Sequence, residues 1–324
     1  MVDLQIKIEL LAEIQWRPSM ESCGSSFMSN RPITSGELLN WSILNRSVEE
    51  TPRPNLQQID PKWLDIVMGK QDAVRMKECM DAILDSESQL DSKLVAFDEL
   101  ELLVESLDNA NDLAALDLWA PLLQILETCH EPQLRRYSAW VMGTAVQNNE
   151  KSQNHFLAAG GLKTVLRSFE SDASLPVKQK ALYCISGTLN NNSAAIRQNK
   201  PIFDAFQDLN GLGIIVDAVR DSDNTICTRC LFLLTQLIVD ECIRDVVVAE
   251  LSNLNVVELV GDLLPSVTEL ALFEECIGFI VQISRHMPIS ADLASIMLEN
   301  IEIMGKSSQV DELRLLAKRI VIQE

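Results

Sequence analysis

Aromatic side chains make up only 5% of these 324 residues, and there are just 12 glycines and 11 prolines. With so few turn-formers, and with Leu, Ala, Glu, Ile and Gln recurring throughout, the composition favours helices. No run of lysine and arginine occurs. The chain carries 47 acidic against 27 basic residues, a net charge of −20. Such a balance repels phosphate backbones and anionic membranes, so neither nucleic acid nor a lipid surface is expected as a partner. No uninterrupted apolar stretch is long enough to span a membrane. The opening, MVDLQIKIELLAEIQW, has no basic n-region and is interrupted by Lys7, Glu9 and Glu13, which makes it a poor secretory signal.

Eight cysteines are spread without a small-domain framework, which suits reduced thiols in the cytosol or nucleus. Cys227 and Cys230 have the CxxC spacing, but there is no second pair, so packing is the expected role. His130, His155 and His286 stand apart from any nucleophile elbow, and neither a Walker A sequence nor GxGxxG occurs. No enzyme, cofactor or metal site is expected.

What the chain does have is a repeat. Leu94, Phe97, Leu100, Val104 and Leu107 fall at spacings of three and four, the mark of an amphipathic helix. Leu122, Leu123, Leu134, Ser138 and Val146 find counterparts 43 residues on at Val165, Leu166, Val177, Ala181 and Leu189. From there the pattern steps by 49 to Ile226, Cys230, Leu231, Leu234 and Ile238, and by 46 to Cys276, Ile277, Ile280 and Ile283. A period in the forties with two or three helices per unit predicts an all-α, armadillo-like solenoid of stacked helical repeats. Glycines in AAGGL (158–162) and LNGLG (209–213) are expected at chain reversals, and Pro121, Pro176 and Pro201 in first turns. The expected division is a flexible segment at 1–61, capping helices at 62–89, repeats at 90–285 and capping helices at 286–324. Nothing before Met28 is needed by this architecture, which makes Met28 an alternative start.

Two features stand out as candidate sites. The same offsets align Asn148, Asn191, Asp240 and His286 in one polar column and Thr144, Gly187, Gln236 and Gln282 in another. These are expected to form a hydrogen-bonding ladder for a partner, and helix termination by asparagine is the other reading. Near the start, the apolar island ELLNWSI (37–43) lies between polar, proline-bearing stretches. Its residues suit a short helix docking on the body through Leu38, Leu39 and Trp41 or Ile43, or a linear recognition motif.

LLNWSI, KLVAFDELELLVESLDNAND (93–112), LWAPLL (118–123) and GTAVQNNEKSQNHF (143–156) together resemble the fungal cytosolic Hsp70 nucleotide exchange factors of the Fes1 type, relatives of animal HspBP1 and of Sil1. The resemblance is collinear from about Leu38 to Arg285, while residues 1–35 depart from it. It implies an armadillo clasp whose hollow face embraces one lobe of the Hsp70 nucleotide-binding domain, accelerates ADP release and so promotes client release. Carried over residue by residue, it implies partner contacts at Asn109, Ala110, Asn111, Gln147, Asn148, Asn149 and Arg229, joining Asn191 and Gln236 from the columns. Ala110 is expected to permit close approach. The resemblance also favours the motif reading of Leu38, Leu39, Trp41 and Ile43, as a client mimic for the Hsp70 substrate-binding domain. A cytoplasmic monomer, with a nuclear fraction, is expected. The competing reading is an armadillo scaffold for extended peptides, which recurring tryptophans would support; only Trp140 is well placed for that.

Overall fold

The computed structural model describes residues 71–189, 200–221 and 223–304. The motif residues Leu38, Leu39, Trp41 and Ile43, the whole 1–61 segment, Asn191 and the helix expected near the C-terminus lie outside the described residues. The chain falls into two units, residues 1–75 and 76–324, and nearly all described residues belong to the second.

Two helices lead in, α1 (Asp72–Leu84) and α2 (Leu90–Val104). Four trios follow. The first is α3 (Leu107–Ala115), α4 (Trp119–Thr128) and α5 (Pro132–Val146); the second is α6 (Glu150–Ala158), α7 (Gly161–Ser171) and α8 (Leu175–Leu189). The third is α9 (Lys200–Asp208), α10 (Gly211–Asp221) and α11 (Asn224–Val239); the fourth is α12 (Arg244–Asn253), α13 (Val256–Leu263) with a 3-10 turn at Leu264–Ser266, and α14 (Leu270–Ile283). The last helix among the described residues, α15 (Ala291–Met304), packs on α13, with Leu293 over Gly261. This is the expected armadillo order of a short helix and two longer ones per repeat. The third helices stack in sequence, α2 on α5, α5 on α8, α8 on α11 and α11 on α14. Leu122, Val165, Val177, Ile226 and Cys230, which carry the sequence period, are all buried in one continuous core.

The repeat is conformational as well as chemical. Each trio turns from its first to its second helix through a left-handed residue two places after the first helix ends: Asp117 (φ 57°), Gly160 (φ 76°), Asn210 (φ 56°) and Asn255 (φ 50°). Asparagine and aspartate are the non-glycine residues best able to adopt it. So in LNGLG it is Asn210, not a glycine, that makes the reversal. Gly211 serves another purpose, since a Cβ there would lie 2.1 Å from the buried ring of Phe206; Gly161 lies against Phe156 in the same way. Pro121, Pro176 and Pro201 all fall in first turns, as expected.

One expected helical stripe is cut. Glu105 ends α2 and Ser106 begins α3, so Leu107 leaves the apolar face that Phe97, Leu100 and Val104 bury and is 58% exposed.

Polar links tie the first two trios together. Gln153, wholly buried on α6, donates to the carbonyls of Val146 at the end of α5 and Gly187 near the end of α8, both at 2.9 Å. At the other end of α5, Arg135 forks onto Asp172 (Nε–Oδ2 2.7 Å, Nη2–Oδ1 2.9 Å) and also donates to the Cys129 and His130 carbonyls. Burial works against the Asp172 charge, but the Arg135 guanidinium and the Ser174 N–H outweigh it and hold the carboxyl below its usual range. A carboxyl depressed in the folded state contributes stability above its unfolded pKa of about 4, and that stability is lost as the pH falls through the lower folded value. Asp172→Asn is therefore expected to be less stable than the parent at pH 7 and to converge with it in acid. Denaturant unfolding from pH 7 to pH 2.5 measures the two curves; parallel curves would show that the pair contributes nothing.

Candidate partner-binding site

The third helices present a row of side chains that begins with a close helix crossing. On α5, Gly143 leaves room for the Tyr183 ring of α8, whose Cδ1 would lie 2.5 Å from any added Cβ. One turn on, Gly187 of α8 does the same for the Gln147 carboxamide, 2.1 Å from its Nε2. With the two backbones this close, Lys180 of α8 reaches back over α5. Its Nζ stands 3.6 Å from the Trp140 ring centroid and 5.4 Å from that of Tyr183. Tyr137 stacks on Phe97 at 5.7 Å and packs on Trp140 at 5.6 Å, and the Arg136 guanidinium lies 4.8 Å from the Tyr137 centroid.

By the 43- and 49-residue offsets, Tyr137, Lys180 and Arg229 are equivalent positions, as are Trp140, Tyr183 and Phe232. Three consecutive repeats thus show a column of polar or cationic groups beside a column of rings. On α11 both members face water, with Arg229 exposed and Phe232 49% exposed. Arg136, Lys180 and Arg229 form no ion pair with another described residue. Burial pushes the Lys180 ammonium below its ordinary range, against the pull of Glu101, and Arg136 and Arg229 push it the same way. In the fourth repeat the equivalent of Arg229 is Glu275, whose carboxyl is pushed up by burial and by Glu274. The row is therefore cationic and aromatic over α5, α8 and α11, within a chain whose net charge is −20, and turns acidic at α14.

The residues expected from sequence separate into three groups. Arg229 and Gln236 are exposed on α11, seven residues apart on one face and part of this row. Asn111, Asn148 and Asn149 come together elsewhere, in a cleft of about 480 Å³ between α3 and α6, with Leu107, Glu150, Lys151, Asn154 and His155. The rest are occupied within the fold. Asn109 donates to the Leu103 carbonyl at 2.9 Å, and Gln147 ends α5 over Gly187. Ala110 is 2% exposed and belongs to the core, which corrects its expected place at a contact surface. An arginine there would disrupt the packing of α3 rather than obstruct a docked partner.

Within the cleft the asparagines divide the work. Asn148 takes a left-handed conformation (φ 50°) at the exit from α5, and Asn149 is buried as the N-cap of α6, accepting from the Ser152 N–H. Helix termination thus accounts for both backbones, and for the Asn149 side chain as well. Of this group the sequence singles out only Trp140, for a peptide scaffold; Lys180, Tyr183, Arg136 and Phe232 are not among the residues expected from it, although the offsets align Lys180 with Arg229 and Trp140 with Tyr183 and Phe232.

Comparison with known proteins decides the family. A family model described as nucleotide exchange factor Fes1 matches residues 36–113, and one for the SIL1/FES1/HPBP1 C-terminal domain matches residues 109–256. The Hsp70 nucleotide exchange factor FES1 of Kluyveromyces lactis is 33% identical over 285 residues, 86% of this chain and 95% of that protein. The chain belongs to the Fes1 family. The FES1 protein of Saccharomyces cerevisiae is 35% identical over 254 residues, covering 75% of this chain and 84% of its own. Among solved structures, a designed armadillo repeat protein in complex with the peptide (KR)4 superposes with a TM-score of 0.59 at 12% identity, covering 76% of this chain and 99% of that one, a likeness of fold. The two family models together run from residue 36 to 256 and so take in the row from Arg136 to Phe232.

The crossing of α5 and α8 sets the row, which makes its glycine a direct test. Gly143→Ala puts a methyl group into the Tyr183 ring, and overpacking of this kind costs about 1–3 kcal/mol. The expected result is a lower denaturant midpoint together with altered tryptophan emission, as Trp140 loses its contact with Lys180. An unchanged midpoint and spectrum would show that the helices do not need the close approach.

Proposed function

We propose that this protein is a nucleotide exchange factor for a cytosolic Hsp70, and that it grips one lobe of the Hsp70 nucleotide-binding domain with the third-helix row, which forms the hollow face of the solenoid. The observation that carries this reading is the run of cationic and aromatic groups over three consecutive repeats. Such a surface suits a protein partner that presents carboxylates beside apolar side chains. Rings and guanidinium groups are the side chains that most often dominate such contacts, and cations without an internal ion pair steer an acidic surface onto the row.

Exchange then needs no covalent step. Nucleotide in Hsp70 is held between two lobes, so a rigid surface that fits one lobe and displaces the other lowers the affinity for ADP. By linkage, ADP lowers the affinity of Hsp70 for this protein by the same factor. Release of ADP admits ATP, and ATP-bound Hsp70 releases its client. The chain works as a monomer on this account, since one row meets one lobe. The seven cysteines among the described residues are all free thiols, which suits a reducing compartment, and we place the protein in the cytosol, with entry into the nucleus as a further expectation. The residues Leu38, Leu39, Trp41 and Ile43 act separately, as a client mimic for the Hsp70 substrate groove. A scaffold for extended peptides is the second reading, and the positive sign of the row from Arg136 to Arg229 disfavours it only for basic peptides.

The test is release of labelled ADP from a cytosolic Hsp70 under catalytic amounts of this protein. The parent chain is expected to accelerate it. Arg229→Glu, which changes an exposed side chain without an ion pair to break, is expected to slow exchange about tenfold or more with an unchanged melting temperature, because like charges now meet at the contact. Full activity in that variant would remove the row from the site, and no acceleration by the parent would end the exchange-factor reading.

A further inference from the structure

The seven cysteines among the described residues are not equally open to chemistry. Cys79, Cys184, Cys227, Cys230 and Cys276 are buried. Burial pushes the Cys227 thiol up to about 11 and raises those of Cys184, Cys230 and Cys276 as well, which keeps them protonated and inert. Cys129 is half-buried and Cys242 exposed. The surroundings of these two differ. Cys242 follows Glu241 and donates its backbone N–H to Asp240 Oδ1 at 2.9 Å, while nearby Arg244 is engaged by the Ile238 and Val239 carbonyls. Cys129 lines a cleft of about 420 Å³ between the C-terminal ends of α4 and α7, away from the third-helix row.

The walls of that cleft are fixed, and some of their polar groups are free. Arg135 Nη1 donates to the Cys129 carbonyl at 2.8 Å, so the backbone behind the thiol is held by the same guanidinium that forks onto Asp172. Arg167, with 71% of its side chain exposed, gives Nη1 to Glu127 at 3.1 Å and keeps Nε and Nη2 without a partner among the described residues. Thr128 and Ser171 donate their hydroxyls to the Gln124 and Arg167 carbonyls, the usual way a hydroxyl at a helix is satisfied. Ser168 is different: it lines the cleft, is only 9% exposed, and its Oγ is buried with no partner. An orphaned buried hydroxyl is costly, and a ligand oxygen in the cleft would satisfy it.

The cleft thus sets both signs of charge side by side, on Arg167 and Glu127, next to an unsatisfied hydroxyl and an accessible thiol. This suits a small zwitterion that carries carboxylates, an ammonium and sulfur. Glutathione has all of these, and the volume lies within the range of clefts that hold compact ligands. We propose that Cys129 is a site of reversible S-glutathionylation, with the glutathionyl group seated between α4 and α7 and its carboxylates on Arg167 and Ser168. The co-reactant is glutathione disulfide. The Cys129 thiol releases its proton, and Sγ attacks one sulfur of the disulfide. A new S–S bond forms, the old one breaks, and one glutathione leaves with the electron pair and takes up a proton. Cys129 is oxidised and the departing glutathione reduced, so no further oxidant is needed. Each half of glutathione disulfide is a net anion, which the carboxylates of Asp240 and Glu241 oppose at Cys242.

The experiment exposes the full chain to glutathione disulfide and, in parallel, to hydroxyethyl disulfide, which has the same reactive bond and no charge. Peptide mass mapping follows the rate at each cysteine. Glutathionylation is expected about tenfold faster at Cys129 than at Cys242, and to be undone by dithiothreitol. Cys129→Ser should remove the fast phase. Arg167→Ala and Ser168→Ala change an exposed side chain and an unpartnered hydroxyl. Each is expected to slow the reaction of Cys129 with glutathione disulfide about threefold or more and to leave its reaction with hydroxyethyl disulfide unchanged. Equal or faster modification of Cys242 would overturn the assignment. Variants that slow both disulfides alike, or neither, would show that the cleft does not recognise glutathione.

Discussion

The close approach of α5 and α8 fixes the cationic and aromatic row on the third helices. Helices with ordinary side chains at both crossing points stand 8–10 Å apart. Here Gly143 admits the Tyr183 ring and Gly187 admits the Gln147 carboxamide. The gain is positional: Lys180 reaches Trp140, the aromatic groups of α2, α5 and α8 join into one layer, and a cation is held over rings at a fixed height. A lysine on an open helix face would spread over many rotamers, and ordering it on binding would cost entropy. In its cage that ordering has already occurred during folding.

The same repeats separate structural amides from available ones. Gln153, Asn149 and Asn109 satisfy backbone groups where one helix hands over to the next. Each prevents a buried donor or acceptor from going unpaired, a cost of about 1–3 kcal/mol. Asn148 and Asn154 have no such duty for their side chains. An amide cluster that looks uniform along the chain is in space a fixed floor with free groups above it. Charge is organised as well: the chain is acidic as a whole, and Arg136, Lys180 and Arg229, none of them ion-paired with another described residue, lie on the third helices of the first three repeats. Electrostatic contrast of this kind orients an approaching partner as well as attracting it.

Much of the fold was legible in the sequence because burial repeats with the period. Leu122, Val165 and Val177 recur with buried counterparts, and no tertiary information is needed to see them. The reversals were only half legible. Gly160 announces itself, but Asp117, Asn210 and Asn255 take the same left-handed conformation with residue types that also serve as caps and surface groups. Leu107 was assigned to the core stripe because spacing alone does not reveal a helix that stops at Val104 and restarts. Arg229 is expected from the family resemblance and Gln236 from its column, and both are exposed on α11. Ala110 was misplaced because a small residue reads equally well as room for a partner and as room for a neighbouring helix, and its 2% exposure selects the second. Lys180 escaped notice since, between Gln179 and Ala181, it looks like a solvated charge. Only the backbone approach permitted by two glycines puts it over Trp140.

If the third helices of the first three repeats grip Hsp70, their side chains are covered in the complex. Hydroxyl-radical footprinting of the full chain, with and without a nucleotide-free Hsp70 nucleotide-binding domain, tests it most directly, because Trp140, Tyr183 and Phe232 are oxidisable reporters along that row. The account predicts that oxidation of all three falls on complex formation, most strongly at the exposed Phe232, and recovers when ADP is added. Unchanged oxidation at these residues in a complex that has demonstrably formed would contradict it.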